Sequence, residues 1–247
     1  MELYFVRHGQ SQNNANENNP HYEESPDPVL TDMGIEQARY LAEFFEKNQQ
    51  ITKDAQTNHQ NRYGFGVTHI YSSLMDRAVN TAMPTARALG VPFAAWVDIH
   101  EEGGIFSRDK KDALRGLPGK PRSYFERHFP EFQLPDHLDE SGWWNRPFEP
   151  EAERRQRADR FLTDLIARHG DRDGQPEDRV AIFSHGGFFM HLMCSMLKLP
   201  WRQAAHGRQS WFYVNNASIS RIDLSQKEIK ICYVNRTDHL PDHLITH

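Results

Sequence analysis

The feature that most constrains this chain is its opening stretch, where the apolar run Leu3-Tyr4-Phe5-Val6 breaks at once into Arg7-His8-Gly9-Gln10-Ser11. A short run of aromatic and branched residues suits a buried strand. Such a strand is a rigid base, and the polar residues after it stand where it ends. A guanidinium beside an imidazole, followed by a glycine that permits a sharp turn, can bind an anion and attack it. The tripeptide alone says little, because Arg168-His169-Gly170 repeats it. There it follows Ala158, Phe161, Leu162, Leu165 and Ile166, which mark one helical face, so it reads as a helix stop with basic residues in the last turn.

The strand-then-polar pattern returns three times. Residues 67–72 lead into Ser73-Leu74-Met75-Asp76, whose Ser-x-x-Asp spacing predicts a capping box and sets Arg77 in the first helical turn, a good place to hold an anion. Residues 94–99 read as a strand running into His100-Glu101-Glu102-Gly103-Gly104. Residues 179–184 run into Ser184-His185-Gly186-Gly187 and then an apolar helix that Pro200 should stop. Helical spacing also links Ile35, Ala38, Leu41, Ala42 and Phe45, with Thr31 or Asp32 as cap. The helix after Arg77 should bend or shorten at Pro84 and end at Gly90. Residues 211–224, broken near Asn215-Asn216, and residues 229–234 read as further strands.

Strands alternating with helices predict an α/β fold with a largely parallel central sheet flanked by helices. In an open sheet of that kind the strand ends lie along one edge, where ligands bind. Arg7, His8, Arg77, Glu101 or Glu102, and His185 can therefore meet in one pocket. Ser11 and Asn14, in a polar loop over residues 10–24, lie close enough to bond the same anion.

No Gly/Ser- or Pro-rich linker divides the 247 residues, which predicts one domain over 1–247 with insertions. Residues 48–66 resemble a surface insertion. Periodicity is lost over residues 105–150, which predicts an irregular lid. Its aromatics, Phe106, Tyr124, Phe125, Trp143 and Trp144, either meet a leaving group or, as the default, anchor the insertion to the body. Its basic residues, among them Arg108, Lys110 and Arg122, read as a solvated face or a substrate clamp. A net charge of -5 argues against nucleic-acid and polybasic membrane partners. Cys194 and Cys232 read as core residues, hence a reducing, cytoplasmic setting. A strand beginning at residue 2 leaves no room for a signal peptide, and no apolar run is long enough to cross a bilayer. His239, His243 and His247, four apart, mark an exposed tail rather than a metal site. Oligomeric state leaves no mark in the sequence.

Four motifs carry a resemblance: the Arg7-His8-Gly9-Gln10-Ser11 stretch with Asn14, Leu30-Thr31-Asp32-Met33-Gly34 through Ala38, Ser72-Ser73 through Arg77-Ala78 with Thr81-Ala82, and Ser184-His185-Gly186-Gly187. In this order they resemble the histidine phosphatase superfamily, in its phosphoglycerate mutase-like branch, and Val234 to Leu240 is similar to a common family ending. The resemblance implies a phosphomonoester hydrolase with His8 as the nucleophile that becomes phosphohistidine. Arg7, Arg77 and His185 would grip the phosphoryl oxygens, with Ser11, Asn14 and Gly186 near them. Glu101, ahead of Glu102, would be the general acid and base. No metal or cofactor is implied, and the partner is a small phosphorylated molecule. The alternatives are a mutase-type phosphotransferase and a phospho-ligand-binding module without turnover.

Overall fold

The structure is a computed structural model, and it describes residues 1–52, 58–109, 111–171, 174, 176–199, 212–225 and 227–247. Strand β1 (Glu2–Arg7) divides its side chains by the two-residue period of a strand. Tyr4 and Val6 enter one core, and Leu3 and Phe5 enter the other. A strand apolar on both faces belongs in the middle of a sheet. β1 accordingly lies between β6 (Arg179–Ser184), with which it runs parallel, and β7 (Ile219–Leu224), with which it runs antiparallel. β2 (His69–Ser72), β3 (Phe93–Ala95) and β8 (Ile229–Arg236) complete the order β3-β2-β6-β1-β7-β8. The result is a six-stranded, mostly parallel sheet.

Helices cover both faces. α2 (Asp32–Lys47) and α3 (Asp76–Leu89) place Leu41, Phe45, Val79 and Ala82 against Tyr4 and Val6. α5 (Glu151–His169) and α6 (Gly186–Leu197) place Phe161, Leu165, Phe188 and Phe189 against Leu3 and Phe5. Thr31 caps α2 by accepting from the Gly34 amide, and α3 runs through Pro84 to a left-handed Gly90.

The structure corrects several local readings. Residues 94–99 are not one strand: β3 stops at Ala95 and a 3₁₀ turn, Val97–Ile99, follows. Arg157 holds that turn by donating to the carbonyls of Asp98 and His100. Ser73 forms no capping box. Its hydroxyl accepts from the Met75 amide, and Asp76 is taken up by Asn80 and Tyr124. The loop over residues 10–24 contains a short helix, α1 (Gln12–Ala15), with Ser11 as its cap. Residues 48–66 are more than a surface insertion, since Asn58, Asn61 and Phe65 are buried and Tyr4 donates to the Phe65 carbonyl; residues 53–57 lie outside the described residues. The C-terminal tail is exposed at His243 and His247 but not throughout. His239 bonds the Ala217 carbonyl at 3.0 Å and stacks on Phe44, and Leu244 is buried. The readings at Lys110, Pro200 and Trp211 also lie outside the described residues.

Nor is the segment over residues 105–150 wholly irregular. It carries a hairpin of β4 (Phe106–Arg108) and β5 (Leu114–Gly116) and a helix, α4 (Arg122–His128). Phe125, Phe129, Phe132, Trp143 and Trp144 sink into the core on the α2–α3 side, so most of its aromatics anchor it. Phe125 is the one buried residue of α4. Phe125→Ala should cost about 3–5 kcal/mol of unfolding free energy, read as a lower urea midpoint.

Candidate active site

Sheet register brings the chemistry to one level. Arg7 lies opposite Ser184 and Ser72 opposite Phe183, so β1, β2 and β6 end together. The His8 amide donates to the Ser184 carbonyl at 2.9 Å and the Ser73 amide to that of Phe183 at 3.1 Å. His8, Arg77 and His185 leave from those ends.

His8 is buried, and its Nδ1 lies 2.7 Å from the Gly9 carbonyl. A carbonyl only accepts, so Nδ1 carries the proton and Nε2 keeps its lone pair. Arg77 Nε donates to that Nε2 at 3.2 Å. Burial first, then the charges of Arg77 and Arg7, push the His8 pKa well below its ordinary value. The ring is neutral, with its nucleophilic nitrogen turned toward a cation.

Arg7 anchors through Nη1 on the Val214 carbonyl at 2.6 Å. Its Nε and Nη1 of Arg77 are buried without a hydrogen-bond partner among the described residues. Asp27, 3.8 Å from Arg77 Nη1, partly balances the charge. Burial pushes the Asp27 carboxyl up to about 6 against the pull of Arg77. His185 is fully buried, its ring centroid 5.1 Å from that of His8, and neither of its ring nitrogens is bonded among the described residues. Burial and the neighbouring Arg77 hold it neutral too.

Arg7, His8, Ser11, Asn14, Arg77, Glu101 and Glu102 share the lining of one cavity of about 750 Å³, which Phe106, Ser107 and Arg108 of the β4 hairpin also border. His185 and Gly186 are absent from that lining. His185 packs beneath His8, and a Cβ on Gly186 would stand 3.6 Å from Arg7 Nε, so Gly186 lies against the Arg7 guanidinium. Ser11 and Asn14 bond each other, the hydroxyl donating to Oδ1 at 2.9 Å. The two glutamates diverge. Glu101 lies over the start of α6, accepting from the Gly187 and Phe188 amides at 3.3 and 3.1 Å. Glu102 turns to Arg154 at 2.7 Å and His191 at 3.0 Å. Gly187 makes the Glu101 position possible, because a Cβ there would stand 2.4 Å from Glu101 Oε1.

Sequence reasoning gave no role to several supporting residues. Thr81, quoted there only as part of a motif, accepts from the Gly9 amide at 2.9 Å and donates to the Arg77 carbonyl at 2.7 Å, tying the turn after His8 to Arg77. Asn216, read only as a strand break, donates to the His8 carbonyl at 3.2 Å. Asp27 carried no periodic or motif signal. Arg157, inside a helix of many charges, is almost wholly buried and pairs with Glu149 through two bonds of 2.6 and 2.8 Å.

Two guanidinium groups around a neutral imidazole, at the ends of parallel strands, offer planar donors of the kind that bind oxyanions. A sequence profile of the histidine phosphatase superfamily (branch 1) matches residues 3–237. The chain belongs to that superfamily. No curated protein matches it. Among solved structures, it is similar to a mycobacterial glucosyl-3-phosphoglycerate phosphatase complexed with VO3, at 18% identity and TM-score 0.56, over 96% of this chain and 99% of that one. A mutant phosphoserine phosphatase from Entamoeba histolytica in complex with phosphoserine gives 19% and 0.54, over 97% and 99%. An Escherichia coli candidate α-ribazole-5'-P phosphatase gives 20% and 0.57, over 96% of each chain. At such identities the likeness concerns the fold.

The buried histidines make stability depend on pH. His8, His100 and His185 are depressed in the folded state by burial, and the unfolded chain binds their protons near pH 6.5. Their stabilisation is present above that pH and is lost as pH falls below it, by up to about 1.4 kcal/mol per pH unit for each histidine. Asp27, raised to about 6, acts oppositely between its unfolded value and pH 6. Urea midpoints should drop steeply from pH 7 to 5, and His185→Asn should flatten the slope by up to one proton.

Proposed function

We propose that this superfamily member hydrolyses phosphomonoesters through a phosphohistidine on His8. The observation that supports the reading best is the His8 ring: its proton sits on Nδ1 against Gly9, and Nε2 faces Arg77 inside a cationic hollow. Nε2 attacks phosphorus and the ester P–O bond breaks. Arg77 passes its hydrogen bond from Nε2 to an equatorial oxygen, and the unpartnered Arg7 Nε is a second donor. His185, a neutral donor beneath the ring, completes the grip. Ser11 and Asn14 line the same hollow, and Gly186 backs the Arg7 guanidinium that reaches into it.

An alkoxide leaves badly, so Glu101 gives it a proton and then, as carboxylate, activates the water that cleaves the phosphohistidine. Glu101 takes this role ahead of Glu102 because Arg154 and His191 already engage the second carboxylate. The three structural relatives named above, all phosphatases, support the hydrolase over a mutase. So does the lack of the Glu-Arg-His-Tyr-Gly-like stretch that mutases carry after the acid. The substrate is a small phosphorylated molecule, and one domain over 1–247 carries the whole reaction. Free Cys194 and Cys232 support a cytoplasmic setting, and no described helix is long and apolar enough to cross a membrane.

His8→Ala should lower turnover of a phosphate ester by at least ~10³-fold and abolish an acid-labile phosphoenzyme in rapid quench. Turnover unchanged in that variant removes the reading, and a strict need for a bisphosphorylated primer replaces it with the mutase. Glu101→Gln should cost ~10²–10⁴-fold, most on poor leaving groups, with Glu102→Gln milder.

The depressed His8 also supports an acid-type phosphatase. Protonation removes the nucleophile, so a lowered pKa carries the active form further into acid. The acidic limb of kcat/KM should fall well below pH 6.5, and a limb at 6.5 or above contradicts a buried neutral His8.

A further inference from the structure

At the far end of the sheet from His8, three potential metal ligands from three chain segments converge. β7 and β8 are antiparallel, but their register skips: Arg221 pairs with Tyr233 while Ile222 pairs with Ile231. Cys232 is the extra residue of that bulge. A bulge re-aims a side chain, and Cys232 Sγ comes to 3.3 Å from Asp223 Oδ2. His59, on the loop that crosses this edge, brings Nδ1 to 3.5 Å from the same oxygen and 3.9 Å from the sulfur.

Those separations fit a known coordination geometry. Zinc binds sulfur at about 2.3 Å and nitrogen or oxygen at about 2.0–2.2 Å, in a tetrahedron, which puts nitrogen and oxygen about 3.3–3.6 Å apart and sulfur about 3.5–3.7 Å from either. The 3.5 Å between His59 and Asp223 meets this directly, and the sulfur distances of 3.3 and 3.9 Å lie on either side of it, within the reach of a side-chain adjustment. One thiolate, one imidazole and one carboxylate also form a donor set that suits zinc rather than magnesium or calcium. We propose that His59, Asp223 and Cys232 form a zinc(II) site, with water as the fourth ligand.

The surroundings support it. Arg221 grips the same carboxylate by both oxygens, Nε to Oδ1 at 2.7 Å and Nη2 to Oδ2 at 3.1 Å, and so sets its orientation, leaving Oδ2 a second lone pair for a metal; Glu2, 2.9 Å from Arg221, offsets that charge. The adjoining cleft of about 460 Å³ has more carboxylates than cations in its walls, Glu177 and Glu228 among them. His59 is half exposed, so a metal can enter and water can complete the sphere. On binding, a sulfur–zinc bond replaces the S–H bond and the thiol proton passes to solvent. The other mixed cluster, His69, His169 and Asp178, lacks such freedom, since both His169 nitrogens are bonded, to Asp178 and Tyr71.

Asp223 lies opposite Glu2 at the start of β1, whereas Val6 lies opposite Ile219. The site therefore stands roughly 20 Å along the strand from His8, and it ties the residue-59 loop to the sheet edge instead of serving the phosphoryl chemistry. The test is titration of the full-length protein, under a phosphine reductant, with cobalt(II) as spectroscopic probe and zinc(II) as competitor. One equivalent should produce a thiolate-to-cobalt charge-transfer band that zinc displaces. The band should vanish in Cys232→Ser, and affinity should fall at least ~10-fold in His59→Ala. No band at stoichiometric metal, or an unaltered band in Cys232→Ser, overturns the proposal. Should Cys232→Ser misfold by circular dichroism, His59→Ala decides, and an unchanged Kd there overturns it.

Discussion

The structure depends on burying positive charge that it does not fully neutralise. Arg7 and Arg77 both sit in low dielectric around His8, which lowers all three pKa values through desolvation. Removing a guanidinium from water costs several kcal/mol unless hydrogen bonds and counter-charge offset it. The offsets present are partial: the Val214 carbonyl for Arg7, Asp27 and His8 for Arg77, and the more distant field of Glu101 on both. A bound dianion suits what remains. The same desolvation keeps both imidazoles neutral, so one physical cause produces a cationic hollow and an unprotonated Nε2 on His8 together.

That arrangement needs stiff support, and polar residues behind the hollow supply it. Thr81 links the Gly9 turn to α3, and Asn216 links the His8 carbonyl to Asn14. Arg157, held by Glu149, bonds two carbonyls of the turn before Glu101 and lies over the Phe188 ring. Breaking such a buried pair leaves a charge without compensation. Arg157 thus matters to the site without touching it. The segment over residues 105–150 works similarly: its aromatics sink into the core, Tyr124 reaches Asp76 next to Arg77, and its hairpin forms part of the cavity rim.

Close backbone approach is the other support. Gly9 and Gly34 pass so near each other that a Cβ on Gly9 would stand 2.6 Å from the Gly34 carbonyl, and one on Gly34 would stand 2.1 Å from that of Gln10. This brings the start of α2 against the turn that follows His8. In the sequence the two glycines belong to separate motifs, and only the fold shows that they are one contact.

Strand and helix identities were legible because burial on a sheet or helix face imposes a period on the chain, and the polar residues that close each parallel strand advertise the edge where a ligand binds. Arg7, His8 and Arg77 stand out on that ground, whereas the glutamates follow a 3₁₀ turn and not a strand end. The sequence alone therefore determined the class of fold and the chemical groups at its working edge. Tertiary structure decided matters that depend on neighbours distant in sequence. It separated Glu101 from Glu102, which are adjacent in the chain but turn to different partners. It buried His239 in what read as a loose tail, and it made Asn216 a bond to His8 instead of a break in a strand. The physical reason is common to all three: periodicity reports which face of its own element a side chain occupies, whereas a hydrogen bond or an ion pair depends on what the fold sets opposite it.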